Sequence, residues 1–239
     1  MRGLEALADL LLPTSCAGCG TAGIALRQGV CASCIAAITS MRPHETRPTP
    51  APAGLPLCAC LGEYADPLRS LILGYKDRGR HRLAHPLGAL LAAVVEDVAA
   101  GRPALLIPVP DTPSAARQRH GDHMARLARN AARRMRATGT AALIAYPLKA
   151  MTRADSAHLT SAERAEAALT AFATRAARLP ALRNAARGRA VVVLDDVITT
   201  GSTLAAVCDR LAEAGVEVTA GVALAATVRR LADVAPWGA

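Results

Sequence analysis

One segment constrains the fold of this chain more than any other. Val191-Val192-Val193-Leu194 is a short, unbroken apolar run, and it leads straight into two adjacent acids, Asp195 and Asp196. Val197-Ile198 follows, then Thr199-Thr200-Gly201-Ser202-Thr203, and then a stretch with apolar residues at helical spacing. A continuous apolar run of this length suits a strand buried on both faces, as in a parallel sheet. Leu204, Val207, Cys208 and Leu211 stand at i, i+3, i+4 and i+7, one face of a helix that Gly215 stops. A strand, a short polar loop and a helix in that order make the ligand-binding edge of an open α/β sheet, because ligands sit outside the carboxyl ends of such strands. The free amides of the helix N-terminus suit a phosphate. Thr199, Thr200, Ser202 and Thr203 add hydroxyls, and Gly201 lets the backbone approach closely. Asp195 and Asp196 lie one loop away, where ribose hydroxyls or magnesium would be, so the arrangement reads as a ribose-5-phosphate cradle. It lacks the Gly-Lys-Ser/Thr element of a P-loop and the Gly-x-Gly-x-x-Gly of a dinucleotide fingerprint.

The rest of residues 57–239 fits the same class. Apolar strands are expected at Ala104–Val109, Ala141–Tyr146, Ala190–Leu194 and Val216–Ala225. Helices are expected at Pro67–Tyr75, Leu83–Ala99, Ser114–Arg136, Ser161–Thr174 and Thr203–Ala214. Strands alternating with helices imply a parallel sheet covered on both faces. Within Ser114–Arg136, arginines 119, 126, 129, 133 and 136 form one stripe, and Met124, Leu127, Ala128, Ala131 and Met135 form another. That is the pattern of an amphipathic helix with a solvated face. A second acid-free run, Arg175 to Arg189, is expected to be a loop.

Four of the seven cysteines form Cys16-x-x-Cys19 and Cys31-x-x-Cys34. Two such knuckles complete a tetrahedral set of sulfurs, which suits a structural zinc ion. The segment around them is too poor in apolar residues to fold alone, so the metal supplies its folding energy. Cys58 and Cys60 either replace or extend this site or are small residues at the start of a strand, and Cys208 belongs to a helix core face. The six histidines form no convincing metal set, and His81 and His85, four apart, read as a helix surface. Residues 1–12 have the pattern of a short amphipathic helix. Five prolines between residues 43 and 56 mark an extended, non-helical linker. The expected organisation is therefore 1–40 metal segment, 41–56 linker and 57–239 sheet domain.

Charge points to acidic partners. Lys and Arg total 28 against 19 Asp and Glu, a net charge of +9, and among the basic residues only Lys76 and Lys149 are lysine. The arginine excess matches the abundance of Ala, Gly and Pro, which a GC-rich coding sequence produces, so part of it reflects composition. Only five residues are aromatic, which argues against a platform that stacks single-stranded bases. Any nucleic-acid contact would be electrostatic. Glu5 and Asp9 interrupt the apolar N-terminus, no run approaches the ~20 residues needed to span a bilayer, and a cytoplasmic protein without a membrane span is expected.

The Asp195–Thr203 segment closely resembles the phosphoribosyl pyrophosphate (PRPP) motif of type I phosphoribosyltransferases. With the four cysteines ahead of it, Leu71–Gly79 with Lys76, and Ile107-Pro108-Val109-Pro110, the chain resembles the ComF family, which joins a zinc finger to such a domain and includes proteins needed for DNA uptake in competence. The resemblance implies a type I phosphoribosyltransferase fold with a small N-terminal zinc-binding segment. It assigns ribose contacts, and so the catalytic acids, to Asp195 and Asp196. The 5-phosphate falls to Thr199, Thr200, Gly201, Ser202 and Thr203. Val109, Pro110 and Asp111 resemble the diphosphate loop, and Lys76, Arg117 and Arg119 are the candidate cations for the departing diphosphate. The implied cofactors are structural zinc, and magnesium bound with PRPP. The implied partners are PRPP or a related ribophosphate, single-stranded DNA and competence proteins. Two functions follow: a transferase acting on PRPP and an acceptor, linked to DNA uptake or nucleotide metabolism, or a non-catalytic zinc-containing accessory protein for single-stranded DNA import or nucleic-acid binding. The chain departs from the family pattern at Arg119-His120-Gly121-Asp122-His123, Ser156 and Ala167, which affects the acceptor side and a flexible loop.

Overall fold

The computed structural model describes residues 15–151 and 171–227. The expected helix over residues 1–12, most of the one over Ser161–Thr174, and Ser156 and Ala167 lie outside the described residues. The sheet at the centre is seven-stranded and mostly parallel, with the order β3-β4-β11-β9-β5-β6. Its members are β3 (His44–Glu45), β4 (Cys58–Glu63), β5 (Ala104–Pro108), β6 (Ala142–Ile144), β9 (Ala190–Leu194), β10 (Val197–Ile198) and β11 (Ala220–Ala226). Only β3 runs antiparallel, and β10 extends the sheet beside the end of β11. The α/β class expected from the alternating pattern is the one observed.

Strand alternation divides the core. On β9, Ala190, Val192 and Leu194 face one apolar cluster, while Val191 and Val193 face the other. The same split places Ala104 and Leu106 of β5 on the first side and Leu105 and Ile107 on the second. Side chains of a strand point alternately to opposite faces, so such a strand must be apolar throughout. The first face is covered by α2 (Leu68–Asp77), α3 (Ala84–Ala99) and α5 (His123–Ala137). The second is covered by α6 (Leu179–Ala186) and α7 (Ser202–Glu213). Helices α3 and α5 cross closely at Gly88, where an added Cβ would lie 2.4 Å from Asn130 Cβ. Leu91, Leu87, Leu127 and Met135 are essentially inaccessible in this interface, each burial worth roughly 1.5–3 kcal/mol.

Residues 15–40 carry a small hairpin, β1 (Leu26–Arg27) with β2 (Val30–Cys31), followed by α1 (Ala32–Thr39). Val30, Cys31, Cys34 and Ile38 join the first apolar cluster together with Leu61 and Leu68. The proline-rich stretch is extended and packed: β3 pairs with β4, Leu55 is buried, and Pro48 and Leu55 lie against Gly201. Among the described residues, no helix is long and apolar enough to cross a membrane.

Four local expectations are corrected. The single helix over Ser114–Arg136 is two, α4 (Pro113–Gln118) and α5. Between them His120 and Gly121 adopt positive φ, and Asp122 caps α5 by accepting from the Ala125 amide at 2.8 Å. An Asp N-cap after a left-handed glycine ends one helix and starts another in a new direction. Thr219 and its predecessors back to Val216 stay outside β11, which begins at Ala220. Phe172–Thr174 is a strand, β8, pairing with β7 (Leu148–Ala150). The Arg175–Arg189 run contains α6, because Leu179, Leu182, Ala185 and Ala186 give it an apolar face for the second core.

Candidate functional site

The carboxyl ends of β5 and β9 open into a cleft of about 370 Å³. Each wall is delivered by a different element. Strand β9 ends at Leu194, so Asp195 and Asp196 emerge at the sheet edge, where backbone bonds from Asp195 N to Val222 O and from Leu224 N to Asp196 O tie them to β11. Strand β5 ends one neighbour away and delivers Val109, Pro110 and Asp111, with the Val109 amide bonded to Leu194 O. Helix α2 ends with Lys76 pointing into the same space, and α5 begins there with His123. Thr199 and Thr203 close the side toward α7.

Asp195, Asp196, Thr199, Thr203, Lys76, Val109 and Pro110 therefore share one cleft, as their sequence pattern predicts they should if they form one site. Thr200, Gly201 and Ser202 make the adjacent turn but do not line it. Thr200 Oγ1 lies 3.0 Å from Ser202 Oγ, and Gly201 is held at φ 76° with its Cα side against Leu55 and Pro48. The N-cap residue of α7, Gly201, offers no side chain, and the Ser202 amide donates to Thr200 Oγ1 at 3.4 Å. The first amides of α7 and its positive dipole end therefore face the loop hydroxyls.

A chain of charges crosses the floor of the cleft. Lys76 Nζ lies 2.6 Å from Asp196 Oδ2, and His123 Nε2 approaches the same oxygen at 3.2 Å. His123 Nδ1 lies 2.6 Å from Asp111 Oδ2, and Arg119 holds the other Asp111 oxygen at 3.0 Å. Burial would push the His123 imidazole down, but its hydrogen bonds to Asp111 and Asp196 and their charges lift it to about 9. Burial would likewise raise Asp196, yet the His123 bond and the Lys76 charge hold it below the usual carboxylate range. Asp195 goes the other way, pushed up to about 7 by burial and by the neighbouring Asp196 charge. The two acids are thus unequal: Asp196 is a fixed anion and Asp195 titrates near neutrality.

Lys76 was expected to face a diphosphate, and the geometry pairs it with Asp196. Arg119 turns inward to Asp111 and Asp77, while Arg117 is exposed on α4. His123 and Tyr64 also line the cleft and were not singled out by the sequence. The signal for His123 was present: a Gly-Asp pair breaking the arginine-striped helix marks a new helix start whose first residue points inward.

A second centre lies in the N-terminal segment. Cys16, Cys19, Cys31 and Cys34 bring their sulfurs within 4.8 Å of one another. Cys19 and Cys31 Sγ are 3.8 Å apart, the edge of a tetrahedron with metal–sulfur bonds of ~2.3 Å. The Gly18 and Cys31 amides point at Cys16 Sγ at 3.4 and 3.3 Å, as in a thiolate knuckle. An added Cβ on Gly18 would lie 2.8 Å from Cys34 Sγ, so the backbone is packed against the ligand set. The residues fit zinc. Cys58 and Cys60 stand apart on β4 as buried thiols, each raised to about 11 chiefly by burial, and Cys208 is a buried core thiol on α7.

Asp195 carries a hard oxygen donor of the kind magnesium takes, whereas both oxygens of Asp111 and Oδ2 of Asp196 are already bonded to cationic groups. The donor chemistry of the cleft is compatible with magnesium.

Residues 132–239 match the phosphoribosyl transferase domain family, a stretch that runs from α5 through the Asp195–Thr203 segment to the end of the chain. No curated protein matches the chain.

Proposed function

We propose that this chain is a phosphoribosyltransferase-type protein that binds magnesium-PRPP in the cleft between β5 and β9. The observation that carries the reading is the convergence of Asp195, Asp196, Thr199 and Thr203, at the N-terminus of α7, in one cleft with Lys76. In this reading Asp196, held anionic, accepts hydrogen bonds from the ribose hydroxyls, and the turn and α7 amides receive the 5-phosphate. The Val109–Asp111 loop faces the diphosphate, with Arg119 behind it. Magnesium, when bound, would neutralise charge on the leaving diphosphate. The protein's own part is to orient the ribose and surround its C1 with fixed charges as the bond to diphosphate weakens.

The cysteine set ahead of such a domain supports a ComF-type assignment, with zinc as a structural ion, a cytoplasmic location and a role linked to DNA uptake. Those parts of the proposal rest on the resemblance stated above.

Titration calorimetry with PRPP and magnesium tests the reading. Wild type should bind, and Asp195→Asn with Asp196→Asn should abolish the heat. No heat with wild type overturns the ribophosphate reading. PRPP-dependent diphosphate release across candidate acceptors then separates the two functions. Sustained release makes the protein an enzyme, and tight binding without turnover makes it a non-catalytic accessory factor.

A further inference from the structure

Two neighbouring strands end in acids that share one imidazole. Asp111 follows β5, Asp196 follows β9, and His123 stands between them with Nδ1 2.6 Å from the first and Nε2 3.2 Å from the second. The ring is not free to choose one partner. Its backbone amide donates to Asp111 Oδ2 at 3.0 Å, and the Tyr75 hydroxyl donates to the His123 carbonyl at 2.8 Å. Satisfying both carboxylates requires a proton on each ring nitrogen. Each acid carries a second cation: Arg119 holds the other oxygen of Asp111, and Lys76 shares Oδ2 of Asp196 with His123. The result is one alternating chain, Arg119–Asp111–His123–Asp196–Lys76, and three of its members, Asp111, His123 and Asp196, come from separate elements. A histidine serving only the core would have no reason to lie on the floor of the cleft between two of its acids.

We propose that His123 is a positioning residue that couples the loop after β5 to the acid pair after β9, so that the state of Asp111 sets the orientation of Asp196. The inference rests on the ribophosphate reading, in which the Asp111 loop faces diphosphate and Asp196 faces the ribose hydroxyls. The bridge then makes ribose binding and diphosphate binding cooperative: each ligand group organises the other's subsite through one imidazole. Coupling through a shared partner is the situation in which mutational effects stop being additive.

The test is a double-mutant cycle read with ribose 5-phosphate, which carries no diphosphate to reach Asp111. Asp111→Asn removes charge from one end of the bridge while keeping its shape. His123→Gln reaches toward Asp196 but has no second nitrogen for Asp111. Asp111→Asn alone should weaken ribose 5-phosphate binding by about fivefold or more, within the usual range for coupled neighbours. In the His123→Gln background the same change should cost less than about twofold. Circular dichroism melts establish that each variant is folded, and His123→Asn replaces His123→Gln if the latter is not. An equal loss in both backgrounds, or no loss in wild type, overturns the inference while leaving the ribophosphate reading intact. Failure of wild type to bind ribose 5-phosphate overturns that reading and the inference with it.

Discussion

Asp195 and Asp196 are identical in chemistry and adjacent in the chain, yet their carboxyls are shifted in opposite directions. The difference arises at one oxygen: Asp196 Oδ2 meets both Lys76 and His123, whereas Asp195 has burial and its neighbour's negative charge against it. The same contacts tie His123 to folding. Its pKa is about 9 in the folded chain against about 6.5 for a free imidazole. A group raised in the folded state contributes stability that is fully present below its unfolded pKa and is lost as pH rises through the folded value. Wild type should therefore melt above His123→Gln by a margin that is full below about pH 6.5 and is largely lost as pH rises through about 9. About 2–4 °C is expected for each kcal/mol of linkage. Melting curves of both proteins across that range check this, and a margin that did not change with pH would refute the ion-pair assignment. Nothing in the local sequence around Asp195-Asp196 distinguishes the two acids, because the groups that do so come from α2 and α5, far away in the chain.

At the scale of elements, the turn from β9 into α7 was the most legible part of the chain. An apolar strand, two acids, a hydroxyl-rich turn and a periodic apolar face specify strand, loop and helix by local chemistry. Gly201 shows why the loop cannot be varied freely: its φ of 76° is left-handed, and a Cβ there would stand 3.0 Å from Leu55. Gly201→Ala should cost about 1–2 kcal/mol from backbone strain alone. In the proposed reading the turn presents amides to the 5-phosphate, so the change should also weaken PRPP binding. Parallel melts and titrations measure both effects, and unchanged affinity would separate the turn from the ligand. The helix over residues 114–136 was less legible. Its arginine stripe continues across the break, and periodicity does not register that Asp122 caps a new helix after Gly121 changes the chain's direction. The α6 helix was missed for a related reason: arginine density hid four apolar residues that only a partner surface makes into a face.

For the molecule as a whole, the cysteine segment is continuous with the body. Its buried residues share a cluster with β4 and α2, and Arg80, just beyond α2, donates to the Ser15 carbonyl at 2.8 Å. Metal binding in such a segment is folding energy. Purified protein should hold one zinc per chain. Its removal by a strong chelator, or Cys34→Ser, should lower the melting temperature of the entire chain and weaken PRPP binding through α2 and Lys76. Metal analysis with thermal melts decides this. Protein without zinc, or a melt indifferent to chelation, would refute it. Local patterns were enough for the α/β class, the four-cysteine set and the strand, loop and helix around Asp195–Thr203, because strand burial, knuckle spacing and turn chemistry are each written within a few neighbouring residues. The pairing of Lys76 with Asp196, the inward turn of Arg119 and the bridge at His123 depend on which strand ends lie side by side. That adjacency is fixed by sheet order, a long-range property that links residues 76, 196, 123 and 111 into one chain of bonds.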